Sequence, residues 1–474
     1  MGIRAHFALS LLLLSAAAFD VRADHPNIVL IMVDDMGYGD AGAYNPDAKI
    51  PTPHIDRLAA EGMRFTDAHA AGPLCHMSRY GLLTGEYPFR VRVDDWRERA
   101  LIAEGRTTIA SILREQGYRT HMVGKWHLGF HEQGYDKPLP GGPVDRGFDT
   151  FFGIRASTDI SPYFYIYGDR AVEPPTDHIE ENHSEGWAPV QGAFWRAGGI
   201  APHLDLADVL PRFTEEAFEV IHGAKTDQPF FLYLAYPAPH TPWLPSKAFE
   251  GQSGAGMYGD FMMMVDAMVG RVIAALESRE LLEDTLLIFT SDNGPYWRNE
   301  DVDRFGHDSA GGFRGMKGDA WEAGHRVPFI VRWPGKVAPG TTSGQLIGFT
   351  DLLATFAALT AAKVPAGEAS DSVNFLPVLL GDQPEDTPVR EAWAMQAGSG
   401  AMLYRAGDWK LIDALGSGGF SQPRREDPVP GGPTGQLYNL ANDPAETTNL
   451  YLEHPDIVAR LSAELARVKA GPAE

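Results

Sequence analysis

The sequence predicts an α/β protein: a central mixed, mostly parallel sheet flanked by helices, followed by a smaller C-terminal α+β part. Three observations lead there. Residues 27–33, 229–235 and 285–290 are continuous apolar runs rich in β-branched and aromatic side chains, the pattern of strands buried on both faces. Capped amphipathic segments of helical period lie between them. At 474 residues the chain is longer than one hydrophobic core normally serves, and its composition shifts toward Pro, Gly, Glu and Asp around residues 361–390. The reading is therefore a leader at 1–23, a large part at 24–375, and a C-terminal part at 376–474 with antiparallel strands and a closing helix.

Forty basic against sixty-three acidic side chains give a net charge of −23. That balance argues against nucleic acid and anionic membrane surfaces as partners. An anionic substrate would need its own local cluster of Lys, Arg and His. The first residues read as an export signal: Arg4 supplies the positive start, residues 7–18 the apolar core, and Val21-Arg22-Ala23 the small-residue cleavage site, cut after Ala23. The apolar run is shorter than the roughly 20 residues of a spanning helix, so no membrane anchor is expected and the protein is read as secreted or periplasmic. One cysteine, Cys75, cannot form an intrachain disulfide.

In chain order, the first buried strand ends in Asp34-Asp35. Adjacent carboxylates at a strand tip form a solvated turn in most sequences; buried, they need a cation between them. Residues 52–62 form a short helix, with Thr52 as its cap, Pro53 at the first position and Gly62 at its end. Gly72-Pro73 interrupts the chain, and Leu74, Leu82 and Leu83 share a helix face, so Cys75 stands where a helix begins. Arg79 follows one turn later on the same side, an always-charged fork for an anion. Without context a lone cysteine reads as a buried structural thiol. A helix over 107–117 leads into a strand at 119–123, after which Lys125 and His127, two apart in extended chain, share a face. His54 and His69 lack partners at ligand spacing and are read as structural.

Residues 130–206 are rich in Gly, Pro and aromatics. Tyr163, Tyr165, Trp187 and Trp195 either line a sugar cleft or pack in the core. A helix around 211–222 precedes the second buried strand, whose proline-fixed loop carries His240. Helical spacing of Met262, Val265, Val269, Val272 and Leu276 marks a helix over 258–277. The third buried strand delivers Asp292 and Asn293. Lys317 lies in a Gly-rich turn before the strand at 329–332, with Trp297, Arg304 and His307 in the loop ahead of it. Strands at 401–405 and 409–412 and a helix at 455–469 complete the chain.

The run Cys75-His76-Met77-Ser78-Arg79 followed by Leu83-Thr84-Gly85, with Gly124-Lys125-Trp126-His127-Leu128-Gly129, is similar to the two signatures of the type I, arylsulfatase-like sulfatases of the alkaline phosphatase superfamily. Asp34-Asp35 with Met36-Gly37-Tyr38-Gly39-Asp40, the Pro239-His240-Thr241 loop, Asp292-Asn293-Gly294 and Gly315-Met316-Lys317-Gly318 extend the resemblance. It departs at Met77, where the family has proline, and at Ala323-Gly324, often Gly-Gly; the first departure bears on modification of Cys75 more than on the fold.

The resemblance implies an alkaline-phosphatase-like fold and hydrolysis of sulfate esters, with a carbohydrate or sulfated polysaccharide as the expected substrate. It implies conversion of Cys75 to formylglycine (3-oxoalanine) by a dedicated maturation enzyme, the aldehyde's hydrate being the nucleophile. Arg79, Lys125, His127, His240 and Lys317 would be its catalytic partners, and Asp34, Asp35, Asp292 and Asn293 its metal ligands. Three carboxylates and an amide are hard oxygen donors, suited to calcium or magnesium and poor for zinc; one Ca2+ is the expectation. His307, Arg304 and Trp297 are candidates for contact with the leaving group. Two other readings stay open: a phosphodiesterase or phosphonate monoester hydrolase on the same scaffold, and a non-catalytic sulfated-glycan binder with unmodified Cys75.

Overall fold

The computed structural model describes residues 25–471, so the leader expected at 1–23 lies outside the described residues. Among these, ten strands build the main sheet: β1 (Asn27–Asp34), β2 (Met63–Phe65), β3 (Arg119–Lys125), β4 (Thr150–Ile154), β5 (Tyr165–Tyr167), β6 (Arg170–Ala171), β7 (Phe230–Pro239), β8 (Thr285–Ser291), β9 (Phe329–Arg332) and β10 (Thr341–Ser343). Their order is β10-β2-β9-β8-β1-β7-β3-β4-β5-β6. The central five, β8-β1-β7-β3-β4, run parallel, whereas β9, β2, β5 and β6 pair antiparallel on either side. β1, β7 and β8 are buried along their whole length, which is why they show no hydrophobic alternation. Two groups of helices flank the sheet: Pro53–Glu61, Val209–His222 and Gly256–Ser278 in one, Cys75–Thr84, Ile109–Glu115 and Asp351–Thr360 in the other.

Two local expectations need correction. Thr52 does not cap the helix Pro53–Glu61 with its side chain; its hydroxyl instead donates to Asp56 and accepts from the Gly42 amide. The free amides of His54 and Ile55 are taken by Asp266 Oδ1, at 3.1 and 2.9 Å, from the long helix Gly256–Ser278, so the cap comes from 211 residues away in sequence. Nor do Lys125 and His127 share the face of one extended strand. β3 ends at Lys125, and His127 adopts a left-handed backbone with φ of 58°.

A second sheet follows the composition shift. Ala392–Gln396, Met402–Ala406, Trp409–Ile412 and Gln436–Asn439 pair antiparallel in sequence order, and the helix Pro455–Ala470 packs on them with Leu461 and Leu465 buried. Buried charges join this sheet to the large one. Lys410 Nζ lies 2.9 Å from Glu322 and 2.8 Å from Glu446, and Arg405 lies 2.7 Å from Asp67. His69 belongs to this junction, its Nδ1 2.9 Å from His325 Nδ1.

Candidate active site

Parallel register brings the chemistry to one end of the sheet. Met32 of β1 pairs with Ala235 of β7 and Thr290 of β8, and Ala235 pairs with Gly124 of β3. The residues that follow, Asp34-Asp35, Asp292-Asn293, Lys125 and, beyond the longer β7, His240, therefore emerge together at the carboxyl ends of adjacent strands. Close approach sets a condition here: a Cβ on Gly124, whose φ is 117°, would stand 2.0 Å from the Ala235 carbonyl oxygen.

Cys75 is the first residue of the helix Cys75–Thr84, after an extended Leu74. Its Sγ lies 3.3 Å from Asp34 Oδ1 and 3.3 Å from Lys317 Nζ. Lys317 arrives on a turn fixed by its own amide donating to the Pro295 carbonyl, while the next amide, Gly318, donates to Pro73; both are 2.8 Å. The Lys317 ammonium also meets Asp35 Oδ1 at 2.5 Å, and Lys125 Nζ pairs with Asp34. Arg79 does not hold its fork open to an incoming anion. Nε and Nη2 donate to Asp292 Oδ2 at 3.0 and 2.8 Å, and Nη1 donates to the Lys125 carbonyl at 2.8 Å. It fixes two strand ends relative to each other. His240 Nδ1 lies 2.7 Å from the Thr241 carbonyl, so that nitrogen donates, while Nε2 faces Asp35 Oδ2 at 3.6 Å.

The electrostatics follow from packing these groups away from water. Burial alone would raise the Asp34 carboxyl, but the charges of Lys125, His240, Arg79 and Lys317 overturn that and hold it well below the usual carboxylate range. Asp292 goes the other way: burial and the neighbouring Asp34 charge raise it against Arg79 and Lys125. Burial, with Asp292 and Asp34, pushes the Cys75 thiol up despite the two lysines. His127 is held well below the usual imidazole range by burial and by Lys125, so its ring is neutral, and both of its nitrogens are buried without a partner.

Asn293 decides whether a cation fits. Its Nδ2 donates to Asp35 Oδ1 at 2.6 Å and to the Gly294 carbonyl at 2.9 Å, while its Oδ1 is buried with no hydrogen-bond partner. An orphaned amide oxygen beside three buried carboxylates is a donor set for a hard divalent ion, and calcium's oxygen preference matches it.

The remaining candidates have partners of their own. His307 is fully buried, its Nε2 2.8 Å from Asp40 Oδ1, and Trp297 donates its indole N–H to the His307 carbonyl at 2.9 Å. Arg304 is exposed, donates to the Gly186 carbonyl and lies over the Trp187 ring at 4.8 Å. The aromatics of the middle segment mostly pack: Trp187 against Trp243 and Phe305, Tyr165 against Phe152 and Phe213, while the Tyr163 hydroxyl donates to the Arg196 carbonyl.

Sequence reasoning missed several residues at the site. Ser291 Oγ accepts from the Met36 amide and donates to the Asn293 carbonyl, clamping two ligand-bearing loops together. Asp159, on the loop after β4, is buried with its Oδ1 3.9 Å from His240 Nδ1. Its only sequence signal was the short run Phe151-Phe152, too brief to mark a parallel strand whose end would face the site.

The family model described as Sulfatase matches residues 26–362. The chain is 35% identical to an N-acetylgalactosamine-6-O-sulfatase of Bacteroides thetaiotaomicron, over 94% of both chains. It is likewise 35% identical to human arylsulfatase A, over 93% of this chain and 86% of the relative. A solved structure from Bacteroides thetaiotaomicron, described in terms of the metabolism of multiple glycosaminoglycans, superposes with a TM-score of 0.84 at 33% identity, covering 94% of this chain and all of the other.

Proposed function

The chain belongs to the sulfatase family, a sulfuric ester hydrolase by that membership, and from this premise we propose that it cleaves sulfate esters of a glycan in the cup around residue 75. One observation carries the reading: segments up to 282 residues apart in sequence converge so that carboxylates, two ammonium groups and an imidazole surround the one cysteine sulfur. Cys75, once oxidised by a maturation enzyme to formylglycine, would supply as its hydrate a hydroxyl nucleophile for sulfur. Asp34, Asp35, Asp292 and Asn293 would hold a calcium ion, which when bound would supply fixed positive charge to the cup.

The chain's own groups do the rest. Lys317 and Lys125 present ammonium groups beside the nucleophile position and neutralise sulfate oxygens as charge shifts onto the leaving alcohol. His240, with Nδ1 committed to the Thr241 carbonyl, turns Nε2 toward the cup, where a proton on it reaches the departing oxygen. His127, neutral and with both ring nitrogens unpartnered, offers a hydrogen bond that would hold the hydrate in the same cup. Arg79 positions Asp292 and the end of β3.

We read residues 24–375 as the catalytic domain, 376–474 as a C-terminal subdomain, and the leader as placing the protein in a secreted or periplasmic location. No described helix is long and apolar enough to cross a membrane. The test is release of inorganic sulfate, as against phosphate, from paired aryl esters, run beside peptide mass spectrometry of residue 75. Aldehyde at that position with sulfate release is expected. Matured protein that frees phosphate in preference to sulfate would overturn the reading.

A further inference from the structure

Three arginines crowd one rim of this cup. Arg97 lies over the Trp96 ring at 4.2 Å, and Arg155 approaches the same ring at 5.5 Å. Trp96 is buried and meets His127 edge-on at 4.3 Å, which ties this rim to the site. From the other side, Arg196 pairs with Asp159, the buried carboxylate 3.9 Å from His240 Nδ1. The rim thus spans from His127 to His240.

The three guanidiniums are not equally compensated. Arg155 is buried and paired with Glu132, and Arg196 is paired with Asp159. Arg97 is exposed and has no carboxylate within ion-pair distance among the described residues; the nearby Asp94 turns to His76, at 3.7 Å. Burial of its stem and the charges of Arg155 and Arg196 set Arg97 below the usual guanidinium range, as expected of like charges held together. An arginine with no carboxylate partner beside two others carries like-charge repulsion within the folded rim, which its stacking on Trp96 does not remove. An anion arriving with the substrate would relieve that repulsion and be held by a fork already braced on a tryptophan face.

We propose that Arg97, backed by Arg196, forms a second anion subsite, taking an oxyanion of the glycan other than the sulfate being removed. This rests on the cup being the site of glycan sulfate hydrolysis, and it makes the preferred substrate a polyanionic oligosaccharide. A uronate carboxylate and a second sulfate present the same chemistry to a guanidinium.

Three oligosaccharides sharing the scissile sulfate, with a neutral neighbour, a uronate neighbour or a second sulfate, separate the sources. The matured, calcium-loaded wild type should show kcat/KM at least about tenfold higher on one anionic arm than on the neutral one, the scale of a charge-assisted contact, and the ratio should fall as salt rises. Arg97→Ala should bring the ratio close to one, with Arg97→Lys between. Calorimetric binding of the products left after loss of the scissile sulfate, one carrying the uronate and one the remaining sulfate, compared with the neutral product, reads the same subsite without turnover. Equal kcat/KM on all three substrates, or a ratio unmoved by Arg97→Ala, overturns the subsite. Should no sulfate ester be cleaved while Arg97-dependent binding of the anionic products persists, the hydrolase reading fails and the subsite stands.

Discussion

Lys317 Nζ stands 3.3 Å from Cys75 Sγ across 242 residues of sequence. A lysine this close would ordinarily favour a thiolate, yet burial and the carboxylates of Asp292 and Asp34 outweigh it and keep the sulfur protonated. A buried, protonated thiol is a poor nucleophile, so the lysine matters to what Cys75 becomes. Cys75→Ala should lower sulfate release by more than about a thousandfold, the scale of losing a nucleophile. Its melting temperature should stay within a few degrees of wild type. Turnover near wild type in that variant would refute the assignment.

Asn293 Oδ1 is the orphan that a cation satisfies. Calcium should raise the melting temperature in proportion to the logarithm of its concentration, by about 2.7 kcal/mol of stability at a hundredfold excess over its dissociation constant. Asn293→Ala should move that dependence to higher calcium, and chelation should remove sulfate release from the wild type reversibly. A melting curve indifferent to calcium would count against the ligand set.

Arg79 holds Asp292 through two nitrogens and the Lys125 carbonyl through the third. A lysine reaches one of these partners at a time and leaves buried charge unpaired. Arg79→Lys should therefore cost about 3 kcal/mol of stability, read by denaturant unfolding, and should lower kcat more than it raises KM. A fully stable variant would mean that water or the metal replaces the fork.

How much of this was legible beforehand depended on chain distance. Strands buried on both faces announced themselves as unbroken apolar runs, and because parallel strands end together, the polar residues after each run could be placed at one end of the sheet. A cap on the helix at 107–117 could be expected because its partners are local: the Thr108 hydroxyl accepts from the Ser111 amide three residues on. The Asp266 cap was not, since nothing near Pro53 signals a carboxylate from another helix. Arg79 was readable as a helical neighbour of Cys75, but not as a clamp on Asp292, because register between β8 and β3 is a property of the assembled sheet. Asp159 escaped for the same reason, and the left-handed turn at His127 because a residue other than glycine rarely advertises one.

Glu446 joins the C-terminal sheet to the large one. Its Oε2 accepts the Glu322 amide at 2.6 Å and its Oε1 lies 2.8 Å from Lys410 Nζ. Burial is the largest influence, Lys410 opposes it and Glu322 adds to it, and the carboxyl is pushed up to about 7 from an ordinary value of 4.5. Between those two values the folded protein binds the proton that the unfolded chain has lost, so this group makes stability fall as pH rises through the window and stay level above it. Glu322, held well below its ordinary value chiefly by Lys410 against burial, acts oppositely and only toward acid pH. Asp266 and Asp319, each raised to about 6 by burial, slope the same way as Glu446, so the wild-type curve alone does not isolate it. Glu446→Gln keeps the shape and the acceptor for the Glu322 amide while removing the titration. The difference in unfolding free energy, variant minus wild type, should rise from about pH 4.5 to 7 and then level off. A difference flat across that range would place the proton of this junction elsewhere, with His69 and His325 next to be tested.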